Sequence, residues 1–306
     1  MKTTSERIDG HAGQVGGLPI LRALPTARRR MVGAWCFLDH AGPATLAPDQ
    51  RMRVPPHPHT GLQTFSWMIE GEILHRDSLG SEQVLRPGQV NLMTAGRAIA
   101  HSEESLSERL QLAQLWIALP DAQRLCAPAF EHFPLLPRLD AGGFALTLLA
   151  GSHDGQRSPI PLHTPLLGID IAAAAAADTR VTLQAGFEHG LLVLEGAVEL
   201  ALPGQAPQQL EPGQLLYLAP GFAEIGLRCG AAARLLVLGG EPMREQPLLW
   251  WNFVGRDGDE IRRFAQDWNA GCGLFDGVAV RGYDGERLLA PDASQLRLRP
   301  GNASSY

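Results

Sequence analysis

The chain has 306 residues, 45% of them hydrophobic, which is enough apolar side chain for a packed core and excludes global disorder. Lys plus Arg total 26 against 32 Asp plus Glu, a net charge of -6 that argues against direct nucleic-acid binding. Cys36, Cys126, Cys229 and Cys272 lie far apart with no CxxC pair, which excludes a disulfide scaffold and fits a reducing, cytoplasmic setting. The opening MKTTSERIDGHAG has no apolar signal core, and no apolar run is long enough to span a membrane, so no membrane association is expected.

Gly (34) and Pro (23) punctuate the sequence at intervals of roughly 8 to 12 residues, the turn spacing of an all-β sandwich or barrel. In chain order, strands are expected at Leu62 to Ile69, Val90 to Met93, Leu112 to Leu119, Phe144 to Leu149, Leu191 to Leu200, Leu215 to Leu218 and Arg234 to Leu238. Helices are few and short. The best candidate is Asp259 to Asn269, where Ile261, Phe264, Ala265 and Trp268 recur at helical spacing, Asp259 can cap the start and Gly271 stops the end.

An internal repeat organises these strands. Glu70-Gly71, Pro87-Gly88-Gln89 and Gly96 recur as Glu195-Gly196, Pro212-Gly213-Gln214 and Gly221, all at one offset of 125 residues. Each unit reads as strand, turn, strand, Pro-Gly turn, strand. The boundary is expected near Pro128 to Gly143, giving a first domain over 1–130 and a second over 131–306, with a C-terminal segment that packs back on the first.

The chemistry-bearing residues cluster in the first repeat. His57 and His59 are two apart, as are His101 and Glu103, so each pair shares one face of an extended strand. Two such pairs on adjacent strands can converge on one ion. Three imidazoles and a carboxylate suit Fe, Mn, Co, Ni, Cu or Zn and leave positions open for a substrate. Any one of these histidines is more simply a satisfied core or surface residue; the four together are not. The 125-residue shift carries them onto Thr182, Gln184, Gly226 and Arg228, none a usual ligand, so the second unit is expected to keep the framework without the site.

The stretches FLDHAGP (Phe37 to Pro43), PPHPHTGLQTFSWMIEGEILHRDSLG (Pro55 to Gly80), PGQVNLMTAGRAIAHSE (Pro87 to Glu103) and WNFVGRDGDEIRRFAQDW (Trp251 to Trp268) resemble the pirin family of bicupin proteins. The resemblance implies two cupin (jelly-roll) β-barrels with a few short helices, and one divalent ion, Fe(II) by preference, on His57, His59, His101 and Glu103. It also implies an enzyme like quercetin 2,3-dioxygenase that uses O2 to open a flavonol ring with release of carbon monoxide, with Glu103 as candidate base. The alternative is a non-enzymatic, redox-sensing iron protein acting through a protein partner. A third possibility is that another small aromatic or dicarbonyl compound is the natural substrate. Pirins usually carry Glu at the place of Gln63, so Gln63 is expected to tune the surroundings of the ion.

If strand parity runs on from His59 across Gly61, then Gln63, Phe65 and Trp67 line the site as a substrate pocket, with Met93 and Ile99 flanking it, while Ser66 and Met68 face away. Plain core packing is the competing role for each of these. The His75-Arg76-Asp77-Ser78 stretch is expected to brace a hairpin. His189, aligned with Thr64, is expected to point outward and to bind nothing.

Overall fold

The computed structural model describes residues 4–294. They form two compact units, one of 4–12, 21–40 and 135–243 and the other of 13–20, 41–134 and 244–294, so each unit is assembled from separate stretches of chain.

The unit containing 135–243 has two antiparallel sheets. The larger has seven strands in the order Ser5–Asp9, Gln214–Leu218, Glu188–Glu195, Ala233–Gly240, Leu166–Ala173, Phe144–Ala150 and Arg138–Ala141. The smaller runs Ala177–Thr182, Glu224–Cys229, Val198–Ala201, Gln208–Leu210. Leu191, Val193, Leu235 and Val237 of the first share one buried cluster with Val181, Leu200, Ile225 and Leu227 of the second, so the sheets pack face to face. The Leu191 to Leu200 run is not one strand: Gly196, at φ 68°, breaks it into two that lie in different sheets.

The plan recurs around 41–134. A seven-stranded sheet runs Ala129–Phe133, Val90–Thr94, Leu62–Glu70, Arg109–Ala118, Trp35–Thr45, Leu18–Leu24, His11–Val15, and a four-stranded sheet runs Arg53–His59, Ile99–Ser105, Ile73–Asp77, Glu82–Leu85. Met68 and Leu112 from the larger sheet pack with Val54, Ile73 and Leu85 from the smaller.

The expectation of two closed barrels is overturned. In each unit both ladders end at edge strands that do not pair with one another, and no sheet closes on itself. Closure needs an unbroken hydrogen-bond register around the ring. Here the chain crosses between sheets at turns such as Glu70–Glu72 and Glu195–Ala197, and the two layers pack through side chains without forming one continuous ladder. The fold is cupin-like and all-β, built as two sandwiches.

The one α-helix among the described residues is Gly258–Ala270, and no helix is long and apolar enough to cross a membrane. Asp257, not Asp259, caps it: the Asp257 carboxylate accepts from the Glu260 backbone N–H at 2.8 Å. Gly271, at φ 65°, ends it. Ile261, Phe264, Ala265 and Trp268 are buried against Phe253, Ala98 and Ala100, each large apolar side chain contributing roughly 1.5–3 kcal/mol. The helix therefore covers the side of the Ile99–Ser105 strand opposite His101.

Candidate metal centre

The Arg53–His59 and Ile99–Ser105 strands pair so that His57 lies opposite His101 and Ile99 opposite His59. Alternation along each strand turns the three imidazoles into the space between the sheets, with ring centroids 4.4–5.0 Å apart. One ligating atom from each of His57, His59 and His101 lies within 4.8 Å of the others. His101, Glu103 and His75 form a second such group. Glu103 thus shares a group with His101, and a register irregularity between the two sets it opposite Val54.

The tautomers follow from hydrogen bonds. His57 Nδ1 lies 2.9 Å from the Pro55 carbonyl, and His59 Nδ1 lies 3.1 Å from the Asn252 carbonyl. A carbonyl only accepts, so both Nδ1 atoms carry the proton and both Nε2 atoms present a lone pair. Burial holds the His57 imidazole near a pKa of about 4, against the opposing pull of the Pro55 carbonyl, and pushes His59 and His101 well below the ordinary value. The rings are neutral at pH 7, the form that ligates. His59 Nε2 lies 3.1 Å from His101 Nε2. Two nitrogens sharing one ion at about 2.0–2.1 Å each stand about 3 Å apart at a right-angled ligand geometry, so the spacing fits a single divalent ion. Burial raises the Glu103 pKa, while His75 and a hydrogen bond with Ser66 pull it down.

Gly61 holds the end of this arrangement. Its φ is 69°, its N–H donates to the Gly96 carbonyl at 2.8 Å, and a Cβ there would stand 2.3 Å from the Val254 carbonyl oxygen. At this corner the chain leaves the four-stranded sheet for the seven-stranded one, so alternation restarts and the parity of His59 does not carry through to Gln63.

The wall facing the imidazoles is consequently the other face of the Leu62–Glu70 strand. Phe130, Met93, Thr64 and Trp116 are paired in one line across four strands. At one end Phe130 stacks on His75 at 4.4 Å; at the other Trp116 meets His59 edge-on at 5.0 Å. Gln63, Phe65 and Trp67 alternate with this line and lie on the opposite face, where the Gln63 amide donates to Thr94 Oγ1 at 2.9 Å. Ser66 and Met68, expected to face away, face in: Ser66 meets Glu103, and Met68 is in the inter-sheet core. Of the five expected pocket residues, Met93 and Ile99 are on the side of the imidazoles. Thr64, Trp116 and Phe130 escaped sequence reasoning because cross-strand register, not local pattern, sets their position.

Asp77 braces the hairpin as expected, whereas Ser78 ties it to the Ile99–Ser105 strand. Asp77 Oδ1 accepts from the Leu79 and Ser81 backbone N–H groups at 2.8 and 3.0 Å, and Ser78 Oγ accepts from Ala100 N–H at 3.1 Å.

In the other unit Val181 lies opposite Ile225, and Leu227 opposite Leu200. The ligand positions therefore correspond to Val181, Leu183, Ile225 and Leu227, one residue before those given by the 125-residue shift, and all four are in the core. His189 shares the inward parity of Leu191 and Val193, contrary to expectation. It is fully buried, and neither ring nitrogen has a hydrogen-bond partner among the described residues.

Comparison with known proteins gives consistent matches. Residues 17–117 match the family described as Pirin, and residues 168–273 match the Pirin C-terminal cupin domain. The chain is 48% identical over 289 residues, 94% of its length and 90% of the relative's, to a Pseudomonas aeruginosa protein named "Putative quercetin 2,3-dioxygenase". It is 35% identical over 279 residues, 86% of its length and 92% of the relative's, to a pirin-like protein of Caulobacter vibrioides. A crystal structure of quercetin 2,3-dioxygenase from Acinetobacter baumannii superposes with a TM-score of 0.91 at 41% identity, covering 97% of this chain and 98% of that one.

Proposed function

The chain belongs to the pirin family, and on that premise we propose that it is an Fe(II)-dependent dioxygenase that opens the ring of a flavonol such as quercetin. The observation that supports this best is the convergence of three buried, neutral imidazoles beside a carboxylate. His57, His59, His101 and Glu103 would hold the ion. When bound, it supplies Lewis acidity toward the substrate's 3-hydroxyl and a redox centre for O2.

The side chains do the rest. Glu103, raised in pKa by burial, accepts the 3-hydroxyl proton. Phe130, Met93 and Trp116 offer flat apolar surface to an aromatic ring and exclude water; Thr64 adds one hydroxyl between them, and Ile99 closes the side beside His59. Flavonol plus O2 yields a depside plus carbon monoxide, with all atoms accounted for.

The test has two arms. Elemental analysis measures the bound metal. Protein loaded anaerobically with Fe(II) is then mixed with quercetin and O2, and flavonol loss is followed with carbon monoxide release. Both should occur in equal amounts. Metal binding without turnover by any first-row ion would overturn the enzymatic assignment and leave an iron protein that acts through a protein partner.

A further inference from the structure

Behind His101 a buried chain of three side chains runs away from the candidate ion. His101 Nδ1 lies 3.4 Å from His75 Nδ1, and His75 Nε2 lies 3.3 Å from Asp77 Oδ2. His75 and Asp77 are both about 2% exposed. The register places Asp77 directly opposite His101 and His75 opposite Glu103, so two neighbouring strands build the chain. Phe130 stacks on His75 with ring planes 15° apart and fixes the orientation of the imidazole.

From this geometry we propose that His75 and Asp77 are a positioning pair that selects the ligating tautomer of His101. The direction of each hydrogen bond follows from its anchor. Asp77 Oδ1 is committed to the Leu79 and Ser81 N–H groups, so the second oxygen is held toward His75. A carboxylate only accepts, which puts the proton of His75 on Nε2 and leaves Nδ1 as an acceptor. His101 must then donate from Nδ1, and its Nε2 is left with a bare lone pair toward the Nε2 of His59. The three imidazoles thus take their tautomers from three different anchors: the Pro55 carbonyl, the Asn252 carbonyl, and Asp77 through His75. A partner behind a ligating imidazole fixes the ring and raises its basicity.

The inference rests on the metal site proposed above but not on any substrate. Its test is the Co(II) dissociation constant of the full chain, measured by competition with a chromophoric chelator, with the ligand-field spectrum recorded alongside. In Asp77→Asn the hairpin bonds hold the amide oxygen in place and turn the NH2 toward His75. His75 must then accept at Nε2 and carry its proton on Nδ1, which forces the His101 proton onto Nε2. Affinity should fall about 10- to 100-fold. His75→Phe keeps the stacking on Phe130, removes the acceptor and should fall comparably. His75→Gln, whose amide can accept from His101 and donate to Asp77, should bind close to the wild type.

In the metal-free wild type, long-range 1H–15N spectra should show His101 protonated at Nδ1, a result that needs no variant to fold. A proton on Nε2 would overturn the proposal. So would unchanged affinity in Asp77→Asn and His75→Phe, or a His75→Gln variant as weak as His75→Phe. Failure of the wild-type protein to bind Co(II) would sink the metal site itself, an outcome distinct from these.

Discussion

His57 stands directly opposite His101 across two antiparallel strands with ring centroids 4.4 Å apart, and the same backbone relation in the other unit holds Val181 opposite Ile225. One framework thus carries a ligand pair in one unit and a piece of solid core in the other. What differs is the chemistry of the side chains that the pleat turns inward. Aliphatic side chains fill the space that the imidazoles would share with an ion.

The first consequence concerns His101, which takes part in both groups of possible ligands. His101→Ala should bring bound metal to background in elemental analysis and abolish quercetin turnover. Full metal occupancy in this variant would refute the ligand set.

Trp116 and Trp67 separate pocket from core. Trp116 touches His59, whereas Trp67 is on the opposite face and fully enclosed. Trp116→Phe should raise the KM for quercetin on the order of tenfold, as expected when a binding surface loses contact area. Trp67→Phe should lower stability by about 1–3 kcal/mol and leave KM unchanged. Steady-state kinetics and urea denaturation of both variants decide the matter; the reverse pattern would restore the expected wall of Phe65 and Trp67.

Gly61 tests the corner between the sheets. Gly61→Ala forces a side chain into the left-handed region and against the Val254 carbonyl. The conformational cost alone is roughly 1–2 kcal/mol. Because His59 is only two residues away, metal affinity should drop together with the melting temperature. A stable variant with native affinity would show that the turn does not hold the ligand.

His189 provides a pH test away from the metal. Burial lowers its pKa to about 4 in the folded state, against about 6.5 for an exposed imidazole. Between these values the unfolded chain takes up a proton that the folded chain does not, so stability falls as the pH drops through that window. From pH 7 to pH 5 this one residue should cost about 2 kcal/mol. His189→Leu removes that share and the two unpartnered nitrogens. Urea denaturation at both pH values should show a smaller acid loss than in the wild type; an identical loss would exclude His189 as its source.

Several features were legible in the sequence because they depend on neighbours in the chain. Period-two alternation put His57 with His59 and His101 with Glu103, periodic apolar residues marked the Gly258–Ala270 helix, and the spaced turn glycines revealed the duplication. The tertiary structure alone decided whatever depends on residues distant in the chain. Open sandwiches in place of closed barrels follow from which edge strands find partners. The inward face of Leu62–Glu70 follows from a turn that resets alternation at Gly61, and the one-residue offset between the two sets of equivalent positions follows from strand register. His75 reaches His101 because their two strands lie side by side, a proximity that arises only when backbone hydrogen bonds join segments far apart in the chain.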